Sequence, residues 1–245
     1  MTSRTVATIE ARMTSTRLPG KVLMSAAGLP MLELMIERLR FVKEIDAIVI
    51  ATTVNASDDP VEELAHRVGV GVWRGSEADV LNRVLDAAKA YEAQTIVELT
   101  GDCPLIDPAI VSKVINAYRD QNADYVSNII ERTYPDGMDT QVFATTLLED
   151  VARRTDDVAD REHVSLYIYR HPKIYSLANV VAPAEVVRPD LRLTLDTRED
   201  LAVIRTIFES LRPTRKDFTL AQILAFLDAH PQIAAINAQV EAKIV

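Results

Sequence analysis

The run Asp46 to Thr53, "DAIVIATT", is apolar or β-branched at almost every position. A strand with one wet face alternates apolar with polar residues, so an unbroken run of this kind reads as a strand covered on both faces, the habit of a parallel sheet. Parallel neighbours need long crossovers, usually helices, and the flanking sequence supplies them. Met31 to Val42 places Leu32, Met35, Ile36, Leu39 and Val42 on one helical face. After "SDDP", where Ser57 or an aspartate can cap and Pro60 can take the first turn, Val61 to Val68 reads as another helix.

The same alternation runs through most of the chain. Strands are expected at Val6 to Ala11, Val70 to Trp73 and Thr95 to Leu99, with helices at Glu77 to Tyr91 and Pro108 to Arg119. It predicts a three-layer α/β/α sandwich with right-handed crossovers. The pattern then loosens into strands at "ADYVSN" and "TQVFA", the intervening loop "IIERTYPDGMD", and helices over Thr145 to Arg154 and Asp160 to Arg170. Two more strands are expected near Ile174 to Val180 and Leu191 to Leu195, then helices near Glu199 to Leu211, Leu220 to Asp228 and the C-terminus. This ordering suggests one domain over residues 1–245, carrying an acceptor or dimerisation lobe around 129–185.

Ligands of open α/β sheets bind beyond the carboxyl ends of the strands, so the loops there carry the functional search. The first, "RMTSTRLPGK", places Arg12, Arg17 and Lys21 with Ser15, Thr16 and Gly20 in one connection. In a chain of net charge -9, with 36 acidic and 27 basic residues, such a cluster stands out. The overall charge argues against broad binding to nucleic acid or an acidic membrane, whereas this loop suits phosphate oxygens; a solvated basic loop is the plainer alternative. Ser15 and Val22 stand where a Walker A loop needs glycine and a hydroxyl residue, and Gly69 and Gly71 enter a strand instead of leaving one, so neither phosphate-loop motif is present.

Asp102 in "TGDCPLID" and Asp196 in "LRLTLDTRED" each follow a strand. As hard oxygen donors they could hold Mg²⁺; alternatively Asp102 caps a turn, and Asp196 caps a helix with Glu199. Asp136-Gly137 is a turn signal, Asp160 a helix cap, and His163 a packing residue on spacing alone. Cys103 has no base or resolving cysteine nearby in sequence and reads as a small side chain beside the site. One cysteine, an N-terminus interrupted by Arg4, Glu10 and Arg12, and no apolar run near the roughly 20 residues of a membrane span lead us to expect a soluble cytoplasmic protein.

The segments "ARMTSTRLPGKVL", "VIATT", "WRGSEADVLNR", "LTGDCPLIDP", "DYVSN", "PDGMD", "REHV" and "LTLDTRED", in that order, resemble the SpsF-like cytidylyltransferases of spore-coat polysaccharide biosynthesis, over about residues 5–210. The first and third also resemble CMP-sialate and CMP-Kdo synthetases. The resemblance implies a Rossmann-like nucleotide-diphospho-sugar transferase fold with a mainly parallel mixed sheet, and a homodimer. It implies that Arg12, Lys21 and Asp102 serve catalysis, that Ala11, Arg12, Met13, Ser15, Thr16, Arg17, Lys21 and Arg74 approach the nucleotide, and that Asp102 and Asp196 hold Mg²⁺. Asp136, Asp139, Arg161, Glu162 and His163 would face the acceptor. Three positions depart from that pattern: Glu10 where glutamine or a small residue is usual, Thr14 for a common glycine, and Gln141 where a carboxylate is frequent.

The reaction so implied is Mg²⁺-dependent transfer of CMP from CTP to a sugar acid, sugar phosphate or related acceptor, releasing pyrophosphate, in surface polysaccharide or glycoconjugate biosynthesis. A nucleotide-sugar-dependent glycosyltransferase is the rival on such a sheet, but "GDCPLID" lacks its D-x-D spacing. A non-catalytic nucleotide-binding protein of the same fold is the other.

Overall fold

The computed structural model describes residues 3–241. β1 (Thr5–Glu10) is followed by a tight turn at Lys21–Leu23 and a small hairpin of β2 (Ser25–Ala26) and β3 (Leu29–Pro30) that leads into α1 (Met31–Leu39). Then come β4 (Ala47–Thr53), α2 (Asp59–Val68), β5 (Gly71–Gly75), α3 (Val80–Ala90), β6 (Thr95–Thr100), α4 (Pro108–Asp120), β7 (Tyr125–Ser127) and β8 (Gln141–Ala144). The chain continues through α5 (Thr145–Arg154), α6 (Val158–Glu162), α7 (Leu166–Arg170), β9 (Leu177–Asn179), α8 (Arg198–Leu211), α9 (Leu220–Ala229) and α10 (Pro231–Ala234).

The main sheet has the order β5-β4-β1-β6-β8-β7-β9. β8 alone runs against its neighbours, so the sheet is mixed and mainly parallel, as expected. Strand alternation divides the core. Ala7 and Ile9 of β1 pack with α1, α2, α4, α8 and α9, whereas Val6, with Ala47 and Ile96 beside it, packs with α3, α5 and α7. The three-layer sandwich follows from this division.

Four expectations shift. Leu191 to Leu195 is not a ladder strand: one parallel bridge joins Asp136 to Arg192, and the segment is held by Leu193 N–H on Asp136 O (2.7 Å) and Leu195 N–H on Asp102 O (2.7 Å). It therefore follows two loops, not a neighbouring strand. The helix over Asp160 to Arg170 divides into α6 and α7 around His163–Ser165, where the Ser165 hydroxyl turns inward to Gln141 Oε1 (2.5 Å). α3 starts at Val80, not Glu77, because Asp79 caps it by accepting from Asn82 N–H (3.0 Å). The C-terminal helix is the single turn of α10; residues 242–245 lie outside the described residues.

Candidate functional site

β1 and β6 lie side by side and parallel, with Glu10 opposite Thr100, so the loops that leave them emerge together. Gly101 joins the loops: its N–H donates to Glu10 O at 2.8 Å, and a Cβ there would sit 2.9 Å from that oxygen. The 11–20 loop is closed by Gly20 N–H on Met13 O (2.9 Å), with Gly20 at φ 74°. It is anchored by Met13 N–H on the buried Asp58 carboxylate (2.7 Å). Backbone closure of this kind leaves Ser15, Thr16, Arg17 and Lys21 to line a cleft of about 330 Å³ together with Ala11, Arg12, Asp102 and Asp196.

Lys21 stands at the centre of that cleft. Its Nζ lies 2.9 Å from Asp102 Oδ2 and 2.8 Å from Asp196 Oδ1, uniting residues 81 and 175 positions away. Burial alone would lower the Lys21 pKa, but the two carboxylates hold it above the ordinary lysine value. Burial would likewise raise Asp196; Lys21, Arg192 and Arg17 instead hold its carboxyl below the ordinary range. The capping alternative for Asp196 fails because Thr197 and Asp200 form the capping box of α8. Asp196 is thereby left to meet Lys21, Arg17 (2.8 Å) and Arg192 (2.6 Å).

A second cavity, about 700 Å³, adjoins the cleft and shares Glu10, Thr100, Glu162 and His163 with it. Asp136 and Asp139 line this inner cavity. Burial first and Asp139 second push the Asp136 carboxyl up to about 6, against the pull of Arg132 and Arg192.

Three nominated residues sit elsewhere. The Arg74 guanidinium lines neither cavity and is spent on the Thr53 and Asn55 carbonyls, Asp59 and Glu62. Arg161 donates to the carbonyls of Thr155 and Ala152 and pairs with Asp79 and Asp156, which fastens α6 instead of lining a cavity. Met13 contributes its backbone to loop closure. Arg12 lines the cleft, with Nη1 3.4 Å from Glu77 O. Cys103 is buried, and burial with Asp102 and Asp139 pushes its thiol well above the ordinary value, which disfavours the thiolate that a nucleophile needs.

Several residues at the site carried no nomination from sequence: Arg83 in the cleft, Glu98 and Arg132 in the inner cavity, and Arg192 between Asp136, Asp196 and Asp200. An acid inside the apolar strand "TIVELT" was the available signal for Glu98. Glu10, noted only as a departure, lies where the two cavities meet; burial, opposed by Arg83 and assisted by Asp102, raises its carboxyl to about 7.

A basic cleft with strand-end carboxylates, opening onto a second polar cavity, suits transfer between a polyphosphate and a small acceptor. Comparison with known proteins agrees. The family model described as cytidylyltransferase matches residues 6–235. The spore coat polysaccharide biosynthesis protein SpsF of Bacillus subtilis is 35% identical over 231 residues, covering 92% of this chain and 95% of SpsF. The 3-deoxy-manno-octulosonate cytidylyltransferase of Solibacter usitatus is 29% identical over 231 residues, 86% of this chain and 90% of its own. A solved cytidylyltransferase from Leptospira borgpetersenii superposes with a TM-score of 0.89 at 33% identity, covering 99% of this chain and 100% of the other. By sequence and by fold, then, the chain belongs to the cytidylyltransferase family and is a nucleotidyltransferase.

Proposed function

We propose that the protein transfers CMP from CTP to an oxygen of a sugar acid, sugar phosphate or related acceptor and releases pyrophosphate. The observation that carries this reading is the Lys21 bridge between Asp102 and Asp196 at the junction of the two parallel-strand loops. The triphosphate lies in the cleft along Arg12, Ser15, Thr16, Arg17 and Lys21, and the acceptor enters the inner cavity. An acceptor oxygen bonds to the α-phosphorus as the bond from that phosphorus to the pyrophosphate oxygen breaks, and the electron pair leaves with pyrophosphate. Arg12, Arg17 and Lys21 offset the charge that gathers on the phosphoryl oxygens, and the two adjoining cavities hold the reacting atoms in line.

Mg²⁺ fits the donor set. Asp102 and Asp196 each turn a hard oxygen toward one point, which the Lys21 ammonium holds in this structure. Among the described residues no group of three or more His, Cys, Asp or Glu side chains is arranged to hold a metal. Two carboxylates suit an ion that keeps most of its waters and takes phosphate oxygens. Bound there, Mg²⁺ would supply charge neutralisation and Lewis acidity at the phosphates.

The resemblance to relatives named for spore coat polysaccharide and for 3-deoxy-manno-octulosonate supports a sugar-type acceptor and a role in surface glycan synthesis. The test is a panel of the four nucleoside triphosphates with Mg²⁺ and a library of sugar acids and sugar phosphates, followed by pyrophosphate release and product mass. CTP with one acceptor class should give a product heavier by a cytidylyl group. Nucleotide binding without pyrophosphate release for any acceptor would sink the reading.

A further inference from the structure

The inner cavity has a charge arrangement that triphosphate binding does not use. Six of its lining residues are acidic, including Glu10, Glu98, Asp136 and Asp139, and two are arginines. Both arginines are already matched. Arg132 meets Asp139 in a two-pronged pair, Nη1 to Oδ1 and Nη2 to Oδ2, each 2.8 Å. Every nitrogen of Arg192 lies on a carboxylate: Nε on Asp200 (3.0 Å), Nη1 on Asp136 (3.1 Å) and Nη2 on Asp196 (2.6 Å).

Glu98 stands outside those arginine pairs. It sits in the middle of β6, the central apolar strand, only 4% exposed, yet it lines the cavity. Its Oε2 has no hydrogen-bond partner. The nearby hydroxyls turn mainly to its strand neighbour: Tyr125 and Ser165 both donate to Gln141 Oε1, at 2.7 and 2.5 Å, Gln141 is the β8 residue opposite Glu98, and Ser165 and Gln141 also reach the Glu98 carboxyl. Strand alternation puts Glu10 on the same face of the sheet, one strand over, and its Oε1 is also enclosed without a partner. Burial and then Glu10 push the Glu98 carboxyl well above its ordinary value, and Ser165 and Gln141 offset only part of this. A buried carboxyl without a counter-ion is costly, and among the described residues none stands against Glu98.

We infer that the acceptor carries a protonated amino group that enters the inner cavity and pairs with Glu98. This inference rests on the reading of the inner cavity as the acceptor site. It narrows the acceptor to an amino-substituted sugar whose amine is free, not acylated. An ammonium group gives Glu98 Oε2 a donor and suits a carboxyl that has Glu10 beside it, whereas an N-acetyl group brings bulk and one N–H without charge.

The test uses glucosamine and N-acetylglucosamine, each as the free sugar and as the 1-phosphate. Binding is measured by calorimetry to the protein loaded with α,β-methylene-CTP, and transfer by pyrophosphate release from CTP. The amine should bind, and where turned over react, at least about tenfold better than its acetylated partner, a margin typical of one charge-assisted contact. Glu98→Gln should reduce that preference about tenfold; general damage to the fold would weaken both probes together, and Glu98→Asp should restore part of the preference. Equal binding of the two forms, a preference for the acetylated form, no binding of either amine, or a preference untouched by Glu98→Gln would overturn the inference. Amine-selective binding without pyrophosphate release from any acceptor would instead uphold the amine pocket and count against the transfer reaction.

Discussion

At the scale of single residues, the site joins groups whose roles depend on where their partners stand. Arg12, Lys21, Asp102 and Asp196 could be grouped from sequence because Arg12 and Asp102 lie just past β1 and β6, Lys21 ends the loop that leaves β1, and Asp196 follows an extended segment; parallel strands deliver such loops to one edge. Arg74 and Arg161 were not separable from them in sequence, because their partners include the backbone carbonyls of Thr53, Asn55, Thr155 and Ala152, which no motif displays. Lys21→Ala should lower kcat/KM for CTP by roughly a hundredfold or more, the usual loss when a preorganised donor at a phosphoryl or oxyanion centre is removed. Arg17 and Arg192 still hold Asp196, so the melting temperature should change little. Asp102→Asn should lose activity and require higher Mg²⁺; an unchanged Mg²⁺ dependence would remove Asp102 from the metal site.

At the scale of elements, the alternating order of strands and helices was read correctly from β1 to α4, apart from the short β2–β3 hairpin and the start of α3, because each main element has its own periodicity. It failed where a segment is held by loops. Leu191 to Leu195 has the apolar alternation of a strand, but Asp136 and Asp102 supply its main-chain partners. Gly137 makes that docking possible: at φ +102° its missing Cβ would sit 2.6 Å from the Leu193 carbonyl carbon and 2.7 Å from its oxygen. Gly137→Ala therefore adds backbone strain to a clash with main chain, and should destabilise the protein by about 2 kcal/mol or more. It should also displace Arg192 and Asp136, so activity should fall beyond the loss of folded protein, as urea unfolding and kcat measured side by side would reveal. Unchanged stability would mean that the 191–195 segment moves freely.

At the scale of the whole molecule, folding buries Glu10 at the end of β1 and Asp136 in the loop against Arg192, and stability should depend on pH accordingly. Glu10, raised to about 7, and Asp136, raised to about 6, bind protons more tightly folded than unfolded. The stability they contribute is complete below the ordinary carboxylate range and is lost as pH rises through about 7. Asp196, held low, acts in the opposite sense and loses its contribution as pH falls. Thermal unfolding of the unliganded protein should show Glu10→Gln gaining on the parent between pH 5 and pH 8; an identical offset at both values would show that Glu10 is not raised. The sequence by itself determined the layered α/β class, the basic loop that leaves β1 and the aspartate that follows β6, because hydrophobic period and local turn chemistry are written in neighbouring residues. Only the tertiary structure decided that Lys21 bridges Asp102 and Asp196, that Arg74 and Arg161 turn to backbone carbonyls, and that Glu98 Oε2 finds no hydrogen-bond partner among the described residues. Those outcomes depend on which strands lie adjacent and which face each side chain takes, and strand order and long-range pairing are set by the packing of the whole sheet.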